Sequence, residues 1–165
     1  MNRESILIIA DIIQNELGLT NSQVFIYNQD YKLPETSGLF IVLVNDSSEI
    51  YSNSNRYVGT VNNSQEVINL LAKEEYSINI MSKNSEARTR KEEVVMALIS
   101  NYAKEQQDKY QFKIAQIPNS FTNVSELEGA GMLNRFVINL SVLTWKQKTK
   151  EISYFDQFTK QINNG

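Results

Sequence analysis

Apolar residues recur along this chain with two different periods, and the change of period marks the elements. Ile6, Ile9, Ile13 and Leu17 are spaced by three or four residues, and Leu7, Ala10 and Ile12 widen the stripe. That spacing predicts a helix over residues 3–17, with Gly18 placed to cap its C-terminus. Val24-Phe-Ile-Tyr27 reads as a short strand. Leu39-Phe-Ile-Val-Leu-Val44 is six apolar residues in a row, several β-branched, which predicts a strand buried on both faces at the centre of a sheet. Residues 45–64 are rich in Asn and Ser and read as exposed loops around a weak strand near Arg56-Tyr57-Val58.

Residues 65–82 carry both patterns. Val67, Leu70 and Leu71 have helical spacing, and Asn63 with Glu66 matches a capping box. Tyr76, Ile78 and Ile80 alternate strictly with Ser77 and Asn79, which is strand behaviour. Asn84 or Ser85 then caps a second helix, with Glu86 in its first turn and Val94, Val95, Leu98, Ile99 and Tyr102 as its buried face. The polar run Lys104–Lys109 reads as a helical tail. Tyr110–Ile117 reads as a strand stopped by Pro118.

The last third has the longest alternating stretch. Gly129 and Gly131 open it, and Phe136, Ile138, Leu140 and Val142 fall on one face, with Arg135, Asn139 and Ser141 on the other. Lys146-Gln-Lys-Thr-Lys150 reads as a hairpin tip, with Ile152 and Tyr154 on a return strand. An extended segment from Leu133 to Gln147 would span roughly 50 Å at about 3.3 Å per residue. Globular strands are more often about 17–20 Å long. Part of this hairpin is therefore expected to leave its own domain. The resulting fold class is α+β: a mixed, mainly antiparallel sheet flanked by two main helices, with a long projecting C-terminal β-hairpin, all in one domain over residues 1–165.

Composition narrows the chemistry. The net charge is −3 and the charged fraction 21%, so no global basic field is present for gripping nucleic acid. The chain has no cysteine and no histidine. Disulfides, thiolate metal sites, Ser-His-Asp triads and histidine bases are thereby excluded. Carboxylates, Lys and Tyr remain, as in most proteins, and the expectation is no enzyme, no cofactor and no metal. The basic cluster Arg88-Thr-Arg-Lys91 could hold a phosphate, but Glu92 and Glu93 follow at once, and a solvated helix face explains it as well. Glu4 and Asp11 interrupt the region where a signal peptide would need an apolar core, so none is expected.

Several segments from Glu75 to Phe158 resemble, in order and spacing, the phage neck or tail terminator (tail-completion) proteins. They are Tyr76-Ser-Ile-Asn-Ile-Met-Ser82, Glu86-Ala-Arg with Arg90, Glu93-Val-Val with Ala97-Leu-Ile-Ser100, Ile117-Pro with Ser120-Phe-Thr-Asn-Val-Ser125, Glu128-Gly129, Asn134-Arg-Phe136 and Tyr154-Phe-Asp with Phe158. The first 70 residues match only in the order of elements. The resemblance implies that residues 65–82 form one long strand, bulged near Lys73-Glu-Glu75. It also implies a structural role in a virion, assembled in the cytoplasm of a bacterial host. Such a protein forms a ring, usually a hexamer, that caps the tail tube at its head-proximal end and ends tube growth. The implied partners are further copies of the chain, the tail tube protein and a neck or head-completion protein, with the sheath as a further candidate. Genomic DNA would pass through the bore without specific binding.

A ring needs head-to-tail contacts that close, and an overlong hairpin suits them. The candidate interface residues are Arg135, Leu143, Trp145, Ile152 and Tyr154. Aromatic residues are enriched at interface hot spots. Trp145 could equally pack on its own sheet, and Arg135 could equally pair within the chain.

Overall fold

The computed structural model describes residues 3–27, 37–60, 63–128 and 131–152. Strand β3 (Asn63–Ser82) runs through the middle of the sheet, between β2 (Phe40–Thr60) and β7 (Gly131–Ile152). Both neighbours are antiparallel to β3, so β2 and β7 run in the same direction. Short strands cover only the lower parts of the outer edges. β1 (Val24–Ile26) pairs in parallel with Ile41–Leu43 of β2. β6 (Glu126–Glu128), β5 (Thr122–Asn123) and β4 (Phe112–Gln116) pair in turn along the other edge of β7, ending where Phe112 faces Thr144.

Three helices lie on one face of the lower sheet: α1 (Ser5–Leu17), α2 (Glu86–Ile99) and α3 (Asn101–Tyr110). The alternation explains the core. Leu39, Ile41 and Leu43 of β2, Tyr76, Ile78 and Ile80 of β3, and Phe136, Ile138, Leu140 and Val142 of β7 all point to that face. Ile6, Ile9 and Ile13 of α1, with Val94 and Leu98 of α2, close over them. Phe40, Val42, Met81 and Leu133 form a second, smaller cluster on the opposite face, so this stretch of β2 is buried on both sides. The α+β architecture with a mixed, mostly antiparallel sheet is thus the one read from the sequence, with three helices where two main ones were expected.

The first helix ends as its sequence requires. Gly18 takes φ 65°, in the left-handed region open to glycine, and its N–H donates to Asn15 O. The second expected helix is divided. Ser100 is extended, and its Oγ accepts from Ala103 N at 3.0 Å, so it caps a new helix rather than continuing the old one. Ile99, expected to be buried, is exposed at that break.

Three expectations are corrected. Residues 45–60 are not loops: β2 is continuous from Phe40 to Thr60, because β3 offers its backbone a partner along the whole length. Two bulges do occur, but on β2 opposite β3, where Asp46 and Tyr51 are the extra residues. The β3–β7 register is unbroken over nineteen pairs, from Ser64–Ile152 to Ser82–Asn134. Lys146–Lys150 is therefore no hairpin tip. It is strand, paired with Glu66–Leu70. The reversal expected there falls instead between Thr60 and Asn63, so the projecting element is a β2–β3 hairpin with β7 as its third strand. Residues 65–75 are strand, as the resemblance implied, and no Asn63 capping box exists.

Glu86 ties α2 to the sheet. Asn84 Nδ2 donates to its Oε1 at 2.9 Å, Leu39 N donates to Oε2 at 3.2 Å, and Arg90 lies 3.7 Å away. The bond from Asn84, then the Leu39 N–H and Arg90, hold the Glu86 carboxyl below its ordinary value of 4.5. A carboxyl depressed by folding adds stability that is present above its ordinary value and lost as pH falls through the lowered one. Glu86→Gln should accordingly be less stable than the parent at pH 7, and the gap should be smaller at an acidic pH below the ordinary value of 4.5. Denaturant midpoints at both pH values check this, and a gap unchanged by pH would contradict it.

Candidate functional site: the arm and its root

Above Thr144 no helix or short strand among the described residues accompanies the sheet. Residues Ser52–Thr60, Asn63–Leu71 and Trp145–Ile152 form a three-stranded arm one layer thick. Nine residues of β3 extend it by roughly 30 Å at about 3.3 Å per residue. Cross-strand rows define its faces. On the side continuous with the helices the rows are Asn53–Leu70–Lys146, Asn55–Ile68–Lys148 and Tyr57–Glu66–Lys150. On the other side they are Ser52–Leu71–Trp145, Ser54–Asn69–Gln147, Arg56–Val67–Thr149 and Val58–Gln65–Glu151.

Side chains join the strands along some of these rows. Gln147 Nε2 donates to Asn69 Oδ1 at 2.9 Å, and Asn69 Nδ2 donates to Ser54 Oγ at 3.4 Å, so one polar row crosses all three strands. Asn55 Nδ2 donates to Glu66 Oε1 at 2.5 Å. Lys146 lies 3.7 Å from Glu74. Among the described residues no ion pair involves Lys148, Lys150, Arg56 or Glu151. Large apolar side chains stand in solvent on the arm and at its root: Tyr57 on the arm, and Ile50 and Tyr51 just below it, are each about two-thirds exposed.

The arm is anchored to α1 by a small polar network. Ser5, at the first helical position, contacts Glu74 Oε2 at 2.7 Å and Tyr76 Oη at 2.6 Å, and the Tyr76 hydroxyl also donates to Glu74. The Glu74 carboxylate thus sits at the N-terminus of α1, where backbone N–H groups favour negative charge. Burial, then the neighbouring Glu74, push the Tyr76 hydroxyl well above the ordinary tyrosine value, so it stays protonated as a donor. The network borders a cavity of about 370 Å³ between α1, α3 and the root of the arm. Thr144 Oγ1, on its wall, is buried with no hydrogen-bond partner among the described residues.

The five candidate residues are placed unevenly. Arg135 sits in the body, where its Nε and Nη2 donate to Asn79 Oδ1 at 3.0 and 2.8 Å; its partner is within the chain and is an amide, not an acid. Leu143 and Trp145 lie at the root of the arm. Trp145 is 47% exposed and flanks the cavity. Ile152 is the last described residue of β7, level with Ser64 near the tip. Tyr154 lies outside the described residues. The structure does not bring the five together into one patch.

The basic cluster Arg88–Lys91 is largely occupied. Arg90 binds Glu93 at 2.8 Å and the Leu17 carbonyl at 3.4 Å, and Lys91 binds Glu92 at 2.6 Å while lying over the Phe121 and Phe136 rings. Among the described residues no group of three or more acidic side chains could hold a metal ion. No helix among them is long and apolar enough to cross a membrane. Compared with known proteins, the chain matches no family model and no curated protein.

Reading the sequence did not single out Glu74, Ser5 or Asn79. Glu74 did carry a signal, because it continues the inward alternation of Tyr76, Ile78 and Ile80. An acid at an inward position needs a donor, here Ser5 and Tyr76. Removing it should therefore loosen the arm root: Glu74→Ala should lower unfolding stability by about 2–4 kcal/mol, the range for losing hydrogen bonds to a charged group with buried partners left behind. Thermal or denaturant unfolding measures it, and a loss below about 0.5 kcal/mol would show the network to be dispensable.

Proposed function

We propose that this protein is a structural ring component of a phage or phage-like tail, closing the tail tube at its head-proximal end and joining it to the neck. The observation that carries this reading is the arm: a three-stranded ribbon whose two outer edges pair with no other described strand, leaving a body that already has its own core. A single layer of strands buries little apolar surface alone, so an arm with exposed Tyr57, and with Ile50 and Tyr51 exposed at its root, is suited to be covered by other chains. The resemblance of residues 75–158 to tail terminator proteins supplies the identity of those chains: other copies of this one, the tube protein and a neck protein. The role involves no catalysis and no cofactor, and it places the protein in the virion. Another position in the same particle, as a neck, tube or baseplate component, shares the same arm-based assembly and differs in copy number. A nucleic-acid-binding module draws less support, because Arg90 and Lys91 are engaged by their own chain.

The purified protein, or the protein released from assembled tails, should run as a closed ring of about six copies. Native mass measurement with imaging checks this, and a copy number matching the many stacked rings of a tube would refute the terminal position. Trp145→Ala should weaken ring formation by about 2 kcal/mol or more if it is a hot spot. Because the side chain is half exposed, monomer stability should fall by less than the roughly 3–5 kcal/mol expected for a buried Trp. Measuring monomer unfolding and assembly on the same variant separates the two effects. A badly destabilised monomer with normal assembly would show that Trp145 serves its own sheet.

A further inference from the structure

Among the described residues nothing pairs with the two long edges of the arm, and the edges differ. On one side Ser52–Thr60 of β2 has no strand beyond it, since β1 stops opposite Leu43. On the other, Trp145–Ile152 of β7 has none, since β4 stops opposite Thr144. The two strands run in the same direction at the same level of the arm. Each presents a row of backbone N–H and C=O groups to solvent, the usual template for strand addition. The nearer part of β2 is disrupted by the bulges at Asp46 and Tyr51, which blunt an edge, but from Ser52 onward the register is regular.

Each edge is also complementary to the other. In the polar row across the arm, Ser54 Oγ accepts from Asn69 and keeps its own O–H free, while Gln147 donates to Asn69 and keeps its carbonyl free. The row thus ends in a donor on the β2 edge and an acceptor on the β7 edge. Arg56 stands on the β2 edge and Glu151 on the β7 edge, on the same face, both exposed and neither in an ion pair among the described residues. Lys148 and Lys150 on β7 would meet Asn55 and Tyr57 of β2, so no cation would oppose a cation. Two β2 edges placed together would instead offer Arg56 no acid, because Ser52–Thr60 carries none.

We propose that the occupant of these edges is a second copy of this chain, with β2 residues Ser52–Thr60 of one arm pairing in parallel with β7 residues Trp145–Ile152 of the next. This rests on the ring reading and deepens it by naming the joint. Unlike edges make a head-to-tail contact, which repeats until the ring closes. The arms then form one continuous sheet in which no long edge remains bare. At level register Arg56 of one copy and Glu151 of the next are diagonal neighbours, within reach of long side chains.

The natural absence of cysteine allows a direct test. Ser54→Cys and Gln147→Cys, combined in one chain, lie two strands apart at roughly 9–10 Å. That exceeds the roughly 7 Å limit for a disulfide, so any cross-link formed must join two chains. Mild oxidation of the assembled ring should give a covalent ladder that ends at the copy number of the ring, while either single variant stays uncross-linked. Gln147 replaced by Thr149→Cys in the pair allows for a stagger of two residues. As a second arm of the test, Arg56→Glu and Glu151→Arg should each reduce assembly several-fold, and the two together should restore it. A ring of normal mass with neither a ladder nor rescue overturns the edge pairing and leaves the ring reading standing. Cross-linking by Ser54→Cys alone, which would mean like edges meeting, also overturns it, as does a cross-link to another particle protein in place of the ladder. A chain that remains monomeric even on tails overturns both.

Discussion

The unbroken antiparallel pairing of β3 with β7 is the constraint on which the rest of the molecule depends. Nineteen consecutive pairs share one offset, so a single register decides which residues of both strands face the helices. In the body that register turns Tyr76, Ile78 and Ile80, with Phe136, Ile138 and Leu140, toward α1 and α2. In the arm the same register sends Lys146, Lys148 and Lys150 to that side and Trp145, Gln147 and Thr149 to the other. A slip by one residue would exchange the faces in both places at once. The apolar body thus enforces the geometry of an arm that lacks a core of its own.

Between body and arm the chain changes from apolar to polar alternation, and the transition is stabilised by hydrogen bonds instead of packing. Ser5, Glu74 and Tyr76 join the N-terminus of α1 to the sheet at the level where α1 begins. Each group satisfies a need of another: the helix N-terminus favours an anion, the carboxylate needs donors, and the buried phenol needs an acceptor. Arg135 and Asn79 form a separate link on the opposite face, inside the body and far along the strands from the arm root.

Much of the body was legible in the sequence because burial writes a period into it. The helix at Ser5–Leu17, the doubly buried start of β2, the alternation from Tyr76 and the strand from Phe136 all follow from spacing. The arm was less legible, because among its described residues only Val67 is buried, too little to impose such a pattern. Asn- and Ser-rich residues 45–58 have loop composition and become strand through their pairing with β3, a partner that local propensity does not report. The lysine run was read as a turn for its polarity, although Lys146–Lys150 contains no Gly, Pro or Asn and keeps a period of two. Trp145 stood out as an exposed aromatic. The bare edges did not, since an edge is defined by where neighbouring strands stop, and no residue of its own marks it.

The register also constrains how such an arm could change length over evolutionary time. A one-residue insertion in β3 or β7 would swap inside for outside along everything beyond it, so viable changes come in pairs of residues, matched in both strands. β2 is less bound, because its bulges at Asp46 and Tyr51 already absorb two unmatched residues near the root. Length variation among descendants of this chain should therefore collect in β2 and at the turn between Thr60 and Asn63, while β3 and β7 lengthen or shorten together, two residues at a time.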